Sequence, residues 1–148
     1  MEVHAGLTSR FAAQFDEHGL SPVEFEVLMR LARSPERQLR MSDLAAQTSL
    51  STSGVTRVVD RMERDGLLCR HACASDRRSL FAVVTDAGMV RLEETLPGHL
   101  ALIERWFTSQ LAPEALHGLL GALRDVRDAV NPGATAGSTG MDDTAPAA

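Results

Sequence analysis

Between Ser42 and Thr85 the chain punctuates itself so often that only one order of elements fits. Ser42 stands just before a compact apolar pattern, Leu44, Ala45 and Ala46. A serine there is predicted to accept hydrogen bonds from the free N–H groups at a helix start. Thr48 and Ser49 favour local hydrogen bonds and should close that helix after two turns. Leu50 is placed to plug the angle that follows. Ser51 is the next cap, and Val55, Val58, Val59 and Met62 recur behind it at helical spacing. Gly66 supplies a left-handed stop. Residues 67–71 and 80–84 are short β-rich runs joined by an arginine-containing tip. Helix, turn, helix and hairpin without spacers define a winged helix-turn-helix. The expected fold class is mainly α with a small β-wing.

The second helix carries two unlike faces. Its apolar stripe faces inward, and Thr52, Ser53, Thr56, Arg57 and Arg61 occupy the opposite side. Short hydroxyl side chains and forked cations suit phosphates and base edges in a major groove. Gly54 lies among them, where the missing side chain permits a close approach. At the hairpin tip, Arg77 and Arg78 suit the negative potential of a narrow minor groove. Asp76 is better placed to orient an arginine than to meet a phosphate. The candidate DNA-contacting set is therefore Ser51, Thr52, Ser53, Gly54, Thr56, Arg57, Arg61, Asp76, Arg77 and Arg78.

A formal charge of −5 over 148 residues looks wrong for a partner of nucleic acid. Its distribution removes the objection. Lysine is absent, and residues 30–78 hold ten of the 15 basic residues against six acids, a local net charge of +4. The flanking segments carry the negative excess, so the field is positive where the reader is predicted.

Other chemistries find little support. The five histidines, His4, His18, His71, His99 and His117, are scattered, and none sits at triad or metal-ligand spacing from carboxylates. No catalytic residue, metal site or cofactor is expected. Cys69 and Cys73 match no strong metal pattern. On one extended strand they would lie about 13 Å apart, beyond disulfide reach. Cys73, near the wing arginines, is the candidate for an alternative redox-responsive role. No run of 18 apolar residues is present, and the N-terminus lacks a basic-then-apolar leader, so the expected location is the cytoplasm, without membrane contact.

The flanks read as helices in need of partners. Leu7, Phe11 and Phe15 form a stripe over residues 1–19. Ser21, Pro22 and Glu24 make a capping box with proline at its first helical position, and Leu20 and Phe25 form a staple. Residues 38–41 are placed to add a third strand to the wing. Thr85 or Asp86 caps a long helix expected to reach Gln110, with a kink near Pro97. Pro113 restarts a last helix behind the poor cap Ala112, with Leu116, Leu119, Leu120, Leu123, Val126 and Val130 on its stripe. The expected organisation is a helical dimerisation region over 1–20 and 86–130, the DNA-binding domain over 21–85 and a disordered tail over 131–148. One small reader cannot bury both terminal stripes, which predicts a two-fold homodimer.

The run LSTSGVTRVVDRMERDGLL and the wing DRRSLFAVVTDAG, with Asp76-x-Arg78 and Thr85-Asp86-Ala87-Gly88, resemble the MarR family of bacterial transcriptional regulators over about residues 7–130. The resemblance implies a homodimeric repressor of double-stranded DNA bearing an inverted-repeat operator. It places Ser53, Thr56 and Arg57 near bases and phosphates, Arg61 near the DNA backbone and Arg78 in the minor groove. It also implies a small aromatic or phenolic effector bound between reader and dimer helices, for which Phe11, Phe15, His18, His99 and Trp106 are the candidate lining. A winged helix can also serve as a protein-interaction module, but such a module has no need of Arg57, Arg61 and Arg78 on one surface.

Overall fold

The computed structural model describes residues 2–72 and 79–136. Six helices and three strands appear there: α1 (Glu2–Glu17), α2 (Pro22–Ala32), β1 (Gln38–Arg40), α3 (Met41–Thr48), α4 (Thr52–Arg64), β2 (Leu68–Ala72), β3 (Leu80–Val84), α5 (Asp86–Trp106) and α6 (Pro113–Val130). Short 3-10 turns follow α2, α5 and α6. The strands form one antiparallel sheet in the order β1-β3-β2, with Leu39 opposite Ala82 and Arg70 opposite the same residue from the other side. The third strand expected near residues 38–41 is present. A mainly helical fold with a small β-wing is what the sequence predicts.

Local chemistry explains most of the element ends. The Ser21 hydroxyl caps α2 while the Glu24 carboxylate returns to the Ser21 N–H at 2.8 Å, a complete capping box. Ser51 caps α4 by accepting from Gly54 N, and Thr85 caps α5 by accepting from Gly88 N. At the far end of α4, Gly66 takes a φ of +73°, its N–H donates to Glu63 O, and Leu67 N donates to Met62 O. That paired arrangement turns the chain sharply into β2.

Three expectations are corrected. Ser42 does not cap α3. The extended residue Arg40 is the N-cap, without a side-chain bond, and Ser42 lies inside the first turn. Strand β1 feeds straight into the helix, so no spacer is left for a separate cap. The long helix stops at Trp106 rather than Gln110, because Phe107 leaves helical geometry (φ −132°, ψ −67°); Pro97 lies inside it. The tail, expected to be disordered from Asn131, is folded at its start. Residues 132–135 form a 3-10 turn, and Ala134 is buried.

The core gathers Phe15 of α1, Leu20, Phe25, Val27, Leu28 and Leu31 around α2, Leu39, Leu44 of α3, Val55, Val59 and Met62 of α4, Leu67, Leu68, Ala82 and Val84 of the wing, and Leu92 of α5. The inward stripe of α4 is thus anchored at three fully buried positions. Helix α6 contributes no buried residue, and Leu120, Leu123, Val126 and Val130 on it are exposed.

Candidate nucleic-acid interface

Helix α4 presents its predicted reading face to solvent. Ser51, Thr52, Ser53, Thr56, Arg57 and Arg61 are all exposed, while Val55, Val59 and Met62 pin the opposite face. The N-terminal cluster is ordered before any partner arrives. The Ser51 hydroxyl serves Gly54 N at 3.1 Å and lies 3.2 Å from that of Ser53, and the Thr56 hydroxyl donates back to Thr52 O at 2.8 Å. The remaining helix-end N–H groups and short hydroxyls on one exposed turn favour phosphate oxygens.

The missing side chain at Gly54 also serves the helix itself. A Cβ at Gly54 would come 3.1 Å from the Ser51 hydroxyl and 3.6 Å from Leu50 Cβ. Its missing side chain makes room for the helix's own cap and turn.

The two arginines of α4 separate in role. Arg57 makes no ion pair among the described residues, so its guanidinium is free to meet an external anion. Arg61 does not have that freedom. Its Nε donates to Glu24 Oε1, the carboxylate of the α2 capping box. Arg61, expected near the DNA backbone, is thus also paired within the chain. It ties α4 to the head of α2, and its side chain stays about half-exposed. Burial raises the Glu24 pKa, but hydrogen bonds from the Ser21 backbone, the Ser21 hydroxyl and Arg61, together with the Arg61 charge, outweigh it and hold the carboxyl below the usual range.

The sequence reading passed over Arg70. From β2 its guanidinium reaches Asp60 at 2.6 Å, Glu63 at 2.7 Å and Thr56 O at 3.3 Å, and its own N–H donates to Glu63 Oε1. One mostly buried arginine therefore binds wing to recognition helix and neutralises two acids that would repel phosphate. The signal was legible in principle as two carboxylates on an otherwise reading helix. Arg40 does similar work at the other edge, donating to the Ser79 hydroxyl at 3.3 Å and lying over the Phe81 ring. Asp76, Arg77, Arg78 and Cys73 lie outside the described residues. Cys69 is free, with its sulfur 3.5 Å from His71 Nε2.

The five candidate effector residues fall into three places on this chain. Phe11, Phe15 and His99 converge, joined by Phe25, which stacks on Phe15 at 4.4 Å. Two buried polar atoms near this cluster, His99 Nδ1 and Gln14 Oε1, have no partner among the described residues. Burial pushes the His99 pKa down, so the ring is held neutral. Trp106 stands elsewhere, in a shallow groove with Val3, Gly6, Leu7 and Arg10, its ring flanked by Arg10 and Arg105. His18 sits in the turn after α1, its carbonyl held by Arg91 at 2.8 Å.

Known proteins share both the sequence and the shape. A family model described as MarR family matches residues 18–79. YkoM, an uncharacterized HTH-type transcriptional regulator of Bacillus subtilis (strain 168), is 36% identical over 73% of this chain and 68% of its own length. AbsC, a MarR family transcriptional regulator from Streptomyces coelicolor, superposes with a TM-score of 0.83 at 37% identity over 88% of each chain. Sco3205, from the same organism and family and solved in complex with DNA, gives a TM-score of 0.83 at 32% identity, covering 88% of this chain and 82% of its own.

Proposed function

The chain belongs to the MarR family of transcriptional regulators, and on that premise we propose that it acts as a homodimeric repressor of an inverted-repeat operator, released by a small aromatic or phenolic anion. It is a DNA-binding regulator and not an enzyme, as its relatives are. The observation that carries the reading is the exposed, pre-ordered turn from Ser51 to Arg57, set on a fully buried apolar stripe. A rigid helix with hydroxyls and a free guanidinium on its outer face suits the major groove. The expected contacts are Ser51, Thr52, Ser53, Thr56 and Arg57 from α4, with Arg77 and Arg78 from the wing.

Dimerisation is supported by α6, which exposes Leu120, Leu123, Val126 and Val130 along one helix and buries nothing. A contiguous apolar face of this kind is stable in water when another chain covers it. The effector reading is supported by the aromatic cluster around His99 and its two unpartnered polar atoms, which offer a polar ligand hydrogen bonds inside apolar walls. Trp106, with Arg10 and Arg105 at its ring, stands beside that cluster along α1.

The test is anisotropy-detected binding to the DNA upstream of the protein's own gene, against a scrambled duplex and over a salt series. Specific binding that weakens steeply with salt is expected. Equal, weak binding to both duplexes, followed by failure to enrich any genomic fragment, overturns the reading. A panel of aromatic acids that leaves operator affinity unchanged overturns the effector part alone.

A further inference from the structure

The start of the C-terminal tail is bound to the DNA-reading head at three places. Asn131 Nδ2 donates to the Ser49 hydroxyl at 3.0 Å, in the left-handed turn between α3 and α4. Arg30 of α2 donates to Ala134 O at 3.2 Å, and the Gln47 amide of α3 donates to Ala136 O. Between these bonds Ala134 is 4% exposed, and a Cβ at Gly133 would come 3.0 Å from Ala46 Cβ. The segment thus meets two helices and the turn, with its smallest residues where the backbone comes closest.

Its position in the chain gives these contacts a consequence. The reading head is already joined to α5, where Thr85 N donates to Leu67 O and the Thr85 hydroxyl donates to Gly66 O. It also packs on α5 and α1 through Leu92 and Phe15, so the part left to swivel is α6, beyond the turn that follows α5. Residues 131–136 add a second attachment, from the far end of α6, on the face that carries Ser49 just ahead of the recognition helix. Helix α6 buries nothing of its own in the chain, so its C-terminal end is held to the head through this segment.

We propose that residues 131–136 are a positioning strap for DNA reading: seated on α2, α3 and the interhelical turn, they fix the recognition helix relative to α6 and so set the half-site spacing that the protein accepts. This rests on the dimeric DNA-reading function proposed above. The strap touches no DNA. It acts through Ser49 and α3, by restricting how far apart two heads can stand.

The experiment compares the full chain with a chain ending at Ala136, a chain ending at Val130 and the full-length variant Gly133→Val. Each is offered a duplex library of two inverted half-sites with spacers of different lengths, and a duplex bearing one half-site. Hydrogen exchange is followed at Gln47, Thr48 and Ser49. The full chain and the chain ending at Ala136 are expected to share one preferred spacing. The chain ending at Val130 and Gly133→Val are expected to keep half-site affinity, exchange faster at those amides and lose about fivefold or more of the spacing preference. An unchanged preference in both overturns the proposal, as does an equal loss of half-site affinity, which marks a merely structural role. Failure of the full chain to bind any duplex overturns the parent reading and this one with it, whereas binding with unaltered selectivity overturns this one alone.

Discussion

Arg61 and Glu24 form an ion pair across 37 residues of chain, from the outer face of the recognition helix to the carboxylate that closes the α2 capping box. Glu24 is thereby used twice, once to finish a helix start and once to hold a helix of different function. Arg57, one turn earlier on α4, has no such tie among the described residues.

The two arginines are expected to fail differently. Arg57→Ala should weaken specific binding by about 1–3 kcal/mol and lower the salt slope by about one, with the melting temperature unchanged. Arg61→Ala should lower both DNA affinity and melting temperature, because Glu24 is left buried without its cation. Parallel melting and anisotropy measurements on the two variants check this. Equal melting temperatures would remove the structural role assigned to Arg61.

Glu24 also predicts an acid limit. Its folded pKa lies below the ordinary value of 4.5, so its stabilisation is complete above that value and drains away as pH falls through the folded pKa. Glu24→Gln should therefore be less stable than the parent at neutral pH, by about 1–2 kcal/mol, and the gap should narrow in acid. Urea titrations at pH 7 and pH 3.5 measure it. A gap independent of pH would show that the carboxylate charge contributes nothing.

His99 works in a higher window. Its pKa is depressed by burial below the ordinary 6.5, so the fold disfavours its proton. Stability is full above the unfolded pKa and is lost as pH falls below it. Melting temperature should decline from pH 7 to pH 5 in the parent and decline less in His99→Phe, a ring that suits the cluster of Phe11, Phe15 and Phe25. Identical slopes would sink the assignment.

Arg70→Met should keep the stem that packs on β2 while releasing Asp60 and Glu63 toward the DNA. Operator affinity is expected to fall by about 1–2 kcal/mol, and added salt should recover part of it relative to the parent, since repulsion is screened. Adding Asp60→Asn should restore some affinity, and a double-mutant cycle reads the coupling.

Gly88 tests the junction of wing and α5. A Cβ there would overlap the Leu67 carbonyl oxygen and come within 2.7 Å of Val84 Cγ2. Gly88→Ala should cost about 2–4 kcal/mol despite alanine's better helix propensity. Chemical denaturation decides it. A neutral or stabilising effect would mean that α5 can shift away from the wing without loss.

Features written in neighbouring residues were legible from sequence. The Ser21–Glu24 box, the Ser51 and Thr85 caps, the Gly66 stop and the apolar stripe of α4 all depend on partners within a few positions. Features that depend on distant partners were not. Arg61 reads as one more cation on a polar face until Glu24 is brought beside it. Arg70 looks like an ordinary strand residue, although it governs the charge of α4. Small, polar residues after Asn131 have the composition of a disordered tail, but Arg30, Gln47 and Ser49 supply the bonds that such a composition cannot supply for itself. Ser42 misled for the opposite reason, since a good capping residue has no use where an extended strand has already delivered the chain to the helix.

The central place of β3 bears on how such a protein can change over generations. Because β3 is paired on one side with β1 and on the other with β2, its alignment with β1 is held by bonds that lie apart from the segment joining Ala72 to Ser79. Exchange of that connection for a relative's is expected to leave β3 aligned with β1 and α5 at its starting point. With the wing contacts proposed above, a new operator preference is then open to the lineage through a handful of codons, and a laboratory can graft the connection as a cassette.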